Sequence, residues 1–154
     1  MYPILLALHN LFRWFVLASL LISIYRAYTG TSRNRIFSPA DNAWRHWTAT
    51  LSHVQLLIGM ILYNQSPVVK YAWLPSADFT DNMEAFFFAF AHSSCMLIAI
   101  VLLTIGSALA KRKATDQEKF KTMLIWFSLA LLIIMLAIPW SFSPFAHRPY
   151  IRNF

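Results

Sequence analysis

Charge is what this chain has least of. Only 12% of its 154 residues are Asp, Glu, Lys or Arg, where a soluble domain carries about 25%. The single cysteine, Cys95, excludes an internal disulfide and any multi-cysteine metal site. There is no Gly-rich phosphate loop, no nucleophile elbow and no His-Glu-x-x-His pair, so hydrolase and kinase chemistry has no support. A cleavable leader is not expected. The start lacks a basic n-region, and the first apolar run is too long and contains Arg13, so it should persist as a helix. Acidic residues are scarce too, six against 13 Lys and Arg, for a formal charge of +7. That excess does not point to nucleic acid. Most of the basic residues fall in short segments between apolar runs, where they set membrane topology.

What is abundant is apolar surface: 58% of residues are hydrophobic and mean hydropathy is +0.53. About 20 apolar residues cross a bilayer. The pattern predicts four spans, at about 3–25, 44–63, 84–109 and 122–138, within one transmembrane domain covering 1–154. Pro3 suits a first helical turn. Arg26–Arg45 reads as a polar loop, with Ser38-Pro39-Ala40-Asp41 capping a turn into the second span. That span carries Thr48, Thr50, Ser52, His53 and Gln55, which favours contact with helices or a cofactor over lipid; Gly59 would let a neighbour come close. Val68–Asp81 reads as an outer loop, with room for a short surface helix. Lys111-Arg112-Lys113 ends the third span, and Thr115-Asp-Gln-Glu118 resembles a capping box opening the fourth. The tail, Ser141–Phe154, should return to the interface. Arg26, Arg33, Arg35 and Arg45 in the first connection, and Lys111, Arg112, Lys113, Lys119 and Lys121 in the third, place both on the cytoplasmic side. The fold class is therefore all-α: an up-down-up-down four-helix bundle with both termini outside.

Three spans carry a histidine at comparable depth. With a rise of about 1.5 Å per residue, His9, His92 and His53 lie roughly 9, 12 and 15 Å from the outer face. Ionisable groups at such depth are costly and tend to face a bundle interior. Spans one and three are diagonal in an up-down bundle, so His9 and His92 would face each other across its axis. Two facing imidazoles suit a b-type haem. Phe12, Trp14, Phe86, Phe87, Phe88 and Phe90 could wall it, and Arg13, one turn below His9, could meet a propionate. His53 is an alternative ligand, or a donor in a haem or quinone pocket. Each histidine also has a plain structural reading as an interhelical hydrogen-bond donor. So do Met96, as packing; Cys95, as a small buried residue; and His147, as an interfacial residue. His46 is a candidate for a second haem.

The segments Leu8–Trp14, His46–Gly59, and His92-x-x-x-Met96 through Gly106 and Lys111-Arg112 resemble a group of small bacterial membrane proteins known as b-type cytochromes. The resemblance spans nearly the whole chain. It implies a four-helix haem protein of the bacterial inner membrane, working in respiratory or redox chemistry.

Three functions are therefore carried forward. The first is one-electron transfer through a bis-histidine haem b held by His9, His92, His53 or two of them, with Arg13 nearby and with quinone or a larger redox complex as partner. The second is a copper or zinc site built from His9, His53, His92 and Met96, in a transporter or metal-dependent enzyme. The third is a cofactor-free anchor or assembly subunit, either in a larger complex or as a homo-oligomer.

Overall fold

The computed structural model describes residues 1–80 and 82–141, so His147 and most of the tail lie outside the described residues. The described residues are helical throughout, without a strand. Helix α1 spans Tyr2–Ser32, α2 Pro39–Gln65 and the short α3 Pro67–Ala72. Then α4 (Met83–Phe86), a π-helical stretch (Phe87–His92) and α5 (Ser93–Arg112) run on as one rod of 30 residues. Helix α6 covers Asp116–Ala137.

The helix ends follow from local chemistry. Ser38 caps α2 in a capping box with Asp41, and Thr115 caps α6 in one with Glu118. In each, a side-chain oxygen takes up a backbone N–H that the first turn cannot pair internally. The polar loop expected over Arg26–Arg45 is shorter than that, because α1 continues to Ser32 and α2 starts at Pro39. The connection after α2 does contain a short helix, α3.

Among the described residues three helices are long and apolar enough to cross a membrane: Tyr2–Ser32, Met83–Arg112 and Asp116–Ala137. The second expected span does not qualify on composition. Its 27 residues reach about 40 Å, so length is sufficient, but Asp41, Arg45 and the run Thr48 to Gln55 dilute its apolar content. Thr48 is spent on a neighbouring helix. Ser23 of α1 and Thr48 of α2 share a hydrogen bond of 2.8 Å, and the Thr48 hydroxyl also lies 3.1 Å from the Ser19 carbonyl. Small polar residues let two helices approach closely and glue them where water is absent.

Helix α1 packs on α2 and α6, and α5 packs on the same two. The core between them holds Leu17, Leu20, Leu103, Phe120, Met123 and Phe127. At Gly106 of α5 any Cβ would run into the Trp126 side chain, so only glycine allows α5 and α6 this close.

One end of the molecule, where α1 joins α2 and α5 joins α6, is held by charge. Asp41 is fully buried. One of its oxygens meets Arg26 Nε at 2.9 Å and Arg35 at 3.3 Å; the other meets the Ser38 amide at 2.9 Å and hydroxyl at 2.6 Å. Burial opposes the Asp41 charge, but the Ser38 bonds and the two arginines outweigh it and hold the carboxyl below its usual range. Arg45, also buried, crosses from α2 to α5 and donates to the Ser107 hydroxyl at 2.6 Å and carbonyl at 3.0 Å, while Asn42 takes its other side.

Candidate functional site

The site lies toward the opposite end, where the rod containing α5 departs from α-helical winding. Residues Phe87–His92 form a π-helix. A π turn holds one residue more than an α turn, and such insertions recur at functional sites. The backbone groups it frees are taken up locally. The Ala89 carbonyl accepts from the Ser93 hydroxyl at 2.7 Å and from the Tyr63 hydroxyl of α2 at 3.1 Å. His92 is the last residue of the π stretch, so this local winding decides where its imidazole points.

His92 Nδ1 lies 2.8 Å from the carbonyl oxygen of Ala137. Carbonyls only accept, so Nδ1 carries the proton and the Nε2 lone pair is left available. Ala137 ends α6, where carbonyls lack helical partners. The chain end of α6 therefore sets both the tautomer and the orientation of His92. A histidine that ligates metal is held in this way, its other ring N–H donated to a backbone carbonyl.

His9 of α1 faces it. The two ring centroids are 6.5 Å apart, with planes 69° to one another. An ion taking a nitrogen from each ring at about 2 Å sets the centroids roughly 6 Å apart. His9 lies against Gly59 of α2, where a Cβ would stand 3.2 Å from His9 Cε1. Gln55 donates to the His9 backbone carbonyl at 2.8 Å. Two buried polar atoms here have no hydrogen-bond partner, His9 Nδ1 and Gln55 Oε1. Orphans of that kind are rare in native interiors and call for a ligand or an ordered water.

The aromatic residues divide. Phe87 and Phe88 stand against His92 with centroids at 5.8 and 5.9 Å. Phe86 and Phe90 instead join Trp73 and Phe79 in a separate outer cluster. Phe12 packs on Phe15, and Trp14 on Trp140. Arg13 extends along α1, with its guanidinium 5.1 Å from the Trp14 ring centroid and a 3.3 Å bond to Asn10.

The three-imidazole set is not assembled. His53 sits two residues from Gln55, about 200° around α2, so it faces away from the side that meets His9. It is exposed and hydrogen-bonds Thr104 of α5 at 2.9 Å. Among the described residues no group of three or more His, Cys, Asp or Glu is placed to hold a metal ion. Met96 packs against the main core, Cys95 is a half-buried free thiol, and His46 is exposed beside Trp47.

Two contributors escape inspection of the sequence, the Ala137 carbonyl and the π stretch. Gly59 and Gln55 carried a signal, as a small residue and as one of the polar residues of the second apolar run, but their contact with His9 did not. No family model matches the chain, and neither a curated protein nor a solved structure matches it.

Proposed function

We propose that the chain is a membrane haem protein of the b type that passes single electrons, in which His9 and His92 would hold one haem. One observation carries this reading. Two imidazoles from different helices meet at 6.5 Å, and one of them is already fixed by a backbone carbonyl in the ligating tautomer. The donor set fits the group. Neutral imidazole is an established haem-iron ligand, the buried His9 Nδ1 wants a partner, and Phe87 and Phe88 supply apolar walls.

The haem, when bound, supplies reversible one-electron chemistry. The protein's share is position and environment. Ala137 fixes His92, Gly59 makes room for His9, and the surrounding helices keep water out, which together bear on the redox potential. Arg13, one turn from His9, offers a cation to a propionate.

In this reading α2 is a fourth span, admitted to the bilayer because its polar face is covered by α1 and α5. The result is an up-down-up-down four-helix bundle in a bacterial inner membrane. Its basic connections lie in the cytoplasm and its termini outside. Electrons would be exchanged with quinone or with a larger redox complex.

The test is the visible spectrum of detergent-purified protein, oxidised and dithionite-reduced, with pyridine haemochrome quantification. A low-spin b-type spectrum at near one haem per chain is expected. Colourless protein, after expression with ample haem, would overturn the proposal.

A further inference from the structure

Gln55 and Gly59 are one turn apart on α2, so they present to α1 from the same face. The Nδ1–Cε1 edge of the His9 ring lies on that face: a Cβ at Gly59 would stand 3.2 Å from Cε1 and 3.7 Å from Nδ1. Gln55 is anchored to the same residue, its amide nitrogen donating to the His9 carbonyl at 2.8 Å. That bond fixes which end of the carboxamide is which, because a carbonyl only accepts. Gln55 Oε1 is therefore a buried acceptor without a donor, and His9 Nδ1 is buried without a partner. A bare Nδ1 would set two acceptors against each other. With the proton on Nδ1 the two orphans become a donor and an acceptor. They then complete one another, directly or across one water.

We infer that Gln55 is the positioning residue for His9: its Oε1 accepts from His9 Nδ1–H and holds the ring with the Nε2 lone pair available. His92 is held in the same tautomer by the Ala137 carbonyl. The two imidazoles are thus fixed by different means. One depends on a backbone carbonyl that no substitution removes, the other on a side chain. A ligating imidazole becomes more basic as the acceptor on its other N–H becomes stronger. A more basic ligand favours the oxidised iron and lowers the potential. Gln55 is then the residue through which this chain sets the potential at the His9 side. The hydrogen bond stands on the packing of α1 against α2 alone; its effect on potential rests on the haem reading above.

The full chain, labelled with ¹⁵N-histidine in lipid nanodiscs, provides the test, read by NMR as purified and by redox titration after haem is supplied. His9→Phe identifies the His9 resonance. In wild type that ring should carry its proton on Nδ1 and exchange it slowly with water. Gln55→Leu removes both ends of the carboxamide; it should speed that exchange at least tenfold and raise the haem potential. Gln55→Glu keeps an acceptor oxygen, so it should restore slow exchange and bring the potential to the wild-type value or below. Bracing of α2 against the His9 carbonyl would by itself lower thermal stability in Gln55→Leu and leave proton exchange and potential where they are. A wild-type His9 protonated on Nε2, a Gln55→Leu chain with unchanged exchange and potential, or a Gln55→Glu chain that behaves like Gln55→Leu would each overturn the inference. An Nδ1–H that depends on Gln55 in a chain that takes up no haem would leave the hydrogen bond standing and remove the haem reading. A full b-type spectrum with Nδ1–H and potential indifferent to Gln55→Leu would do the reverse.

Discussion

The two ends of the molecule treat their buried polar groups differently. At the end holding the connections, Asp41 and Arg45 are buried, and each is surrounded by partners: Arg26, Arg35 and Ser38 for one, Ser107 and Asn42 for the other, with Arg35 Nε left over. Toward the other end, His9 Nδ1 and Gln55 Oε1 are buried with no partner, and the helix beside them is wound as a π-helix. Satisfied polar clusters hold a structure together. Unsatisfied ones persist where something else completes them, and departures from local regularity concentrate at functional sites. The contrast separates a clasp from a receptor site.

The sharpest way to break that contrast is to remove the two imidazoles proposed to hold haem. His92→Ala should abolish haem retention, and His9→Ala should do nearly the same, as read by pyridine haemochrome per chain. His46→Ala, at the connection end, should retain full haem. A His92→Ala protein with the wild-type reduced spectrum would end the assignment of that axial ligand.

Gly59 comes next. A Cβ there would stand 3.2 Å from His9 Cε1, so Gly59→Ala requires a shift of only a few tenths of an ångström and should perturb the spectrum mildly. Gly59→Leu cannot be accommodated without moving His9, and haem content should fall by more than half. Circular dichroism should meanwhile show the helices intact. Unchanged haem in Gly59→Leu would mean that His9 is not held against α2.

The clasp should respond in stability, not in cofactor. Asp41→Asn removes the anion shared by Arg26 and Arg35. Breaking a buried pair from one side costs about 3–5 kcal/mol. Both arginines are partly exposed here, at 26% and 37%, so solvent screening should reduce the loss to roughly 1–3 kcal/mol. The pH dependence has a definite sign. The Asp41 carboxyl is held below its usual range in the folded protein, so its contribution is fully present above the unfolded carboxylate range and is lost as pH falls through the depressed folded value. Thermal melts of wild type and Asp41→Asn should therefore converge in acid and separate toward neutral pH. Parallel curves would remove Asp41 from the account of the clasp.

How much of this was legible beforehand depends on which physical signal carries it. Capped helix starts were, because caps are local, whereas the end of α1, which runs on to Ser32, was not. Ser38 with Asp41 and Thr115 with Glu118 announce themselves within four residues, and Lys111-Arg112 closes α5. The proximity of His9 and His92 followed from depth and from alternation of the spans. Rotation about the helix axes was not legible. Where a helix is apolar nearly all round, periodicity cannot say which face is inward, and so His53 could be grouped with the other two although it faces away. The π stretch adds a residue to the turn before His92 and changes the phase of everything after it, without leaving a mark on composition. The composition of α2 was misleading in another sense. Polar residues such as Thr48 lower its apolar content below that of the other long helices, although they point into neighbours and not into lipid.

The smallest expected effect tests whether the clasp is as well satisfied as its geometry implies. Ser107→Ala removes the hydroxyl that accepts from Arg45 at 2.6 Å but leaves the Ser107 backbone carbonyl at 3.0 Å on the same nitrogen. A hydrogen bond to a charged group contributes about 1.5–3 kcal/mol. With one acceptor retained and Asn42 still bonded to the guanidinium, the loss should fall just below that range, at about 1–1.5 kcal/mol. Haem content should not change, because Ser107 lies four turns from His92 along the same rod. A stability loss without cofactor loss here, set beside cofactor loss without unfolding in Gly59→Leu, would show that the two ends do separate jobs. If Ser107→Ala instead released haem, the ends would be coupled through α5. The regular α-helical stretch from Ser93 to Ser107, which runs between them, would then be the element to perturb next.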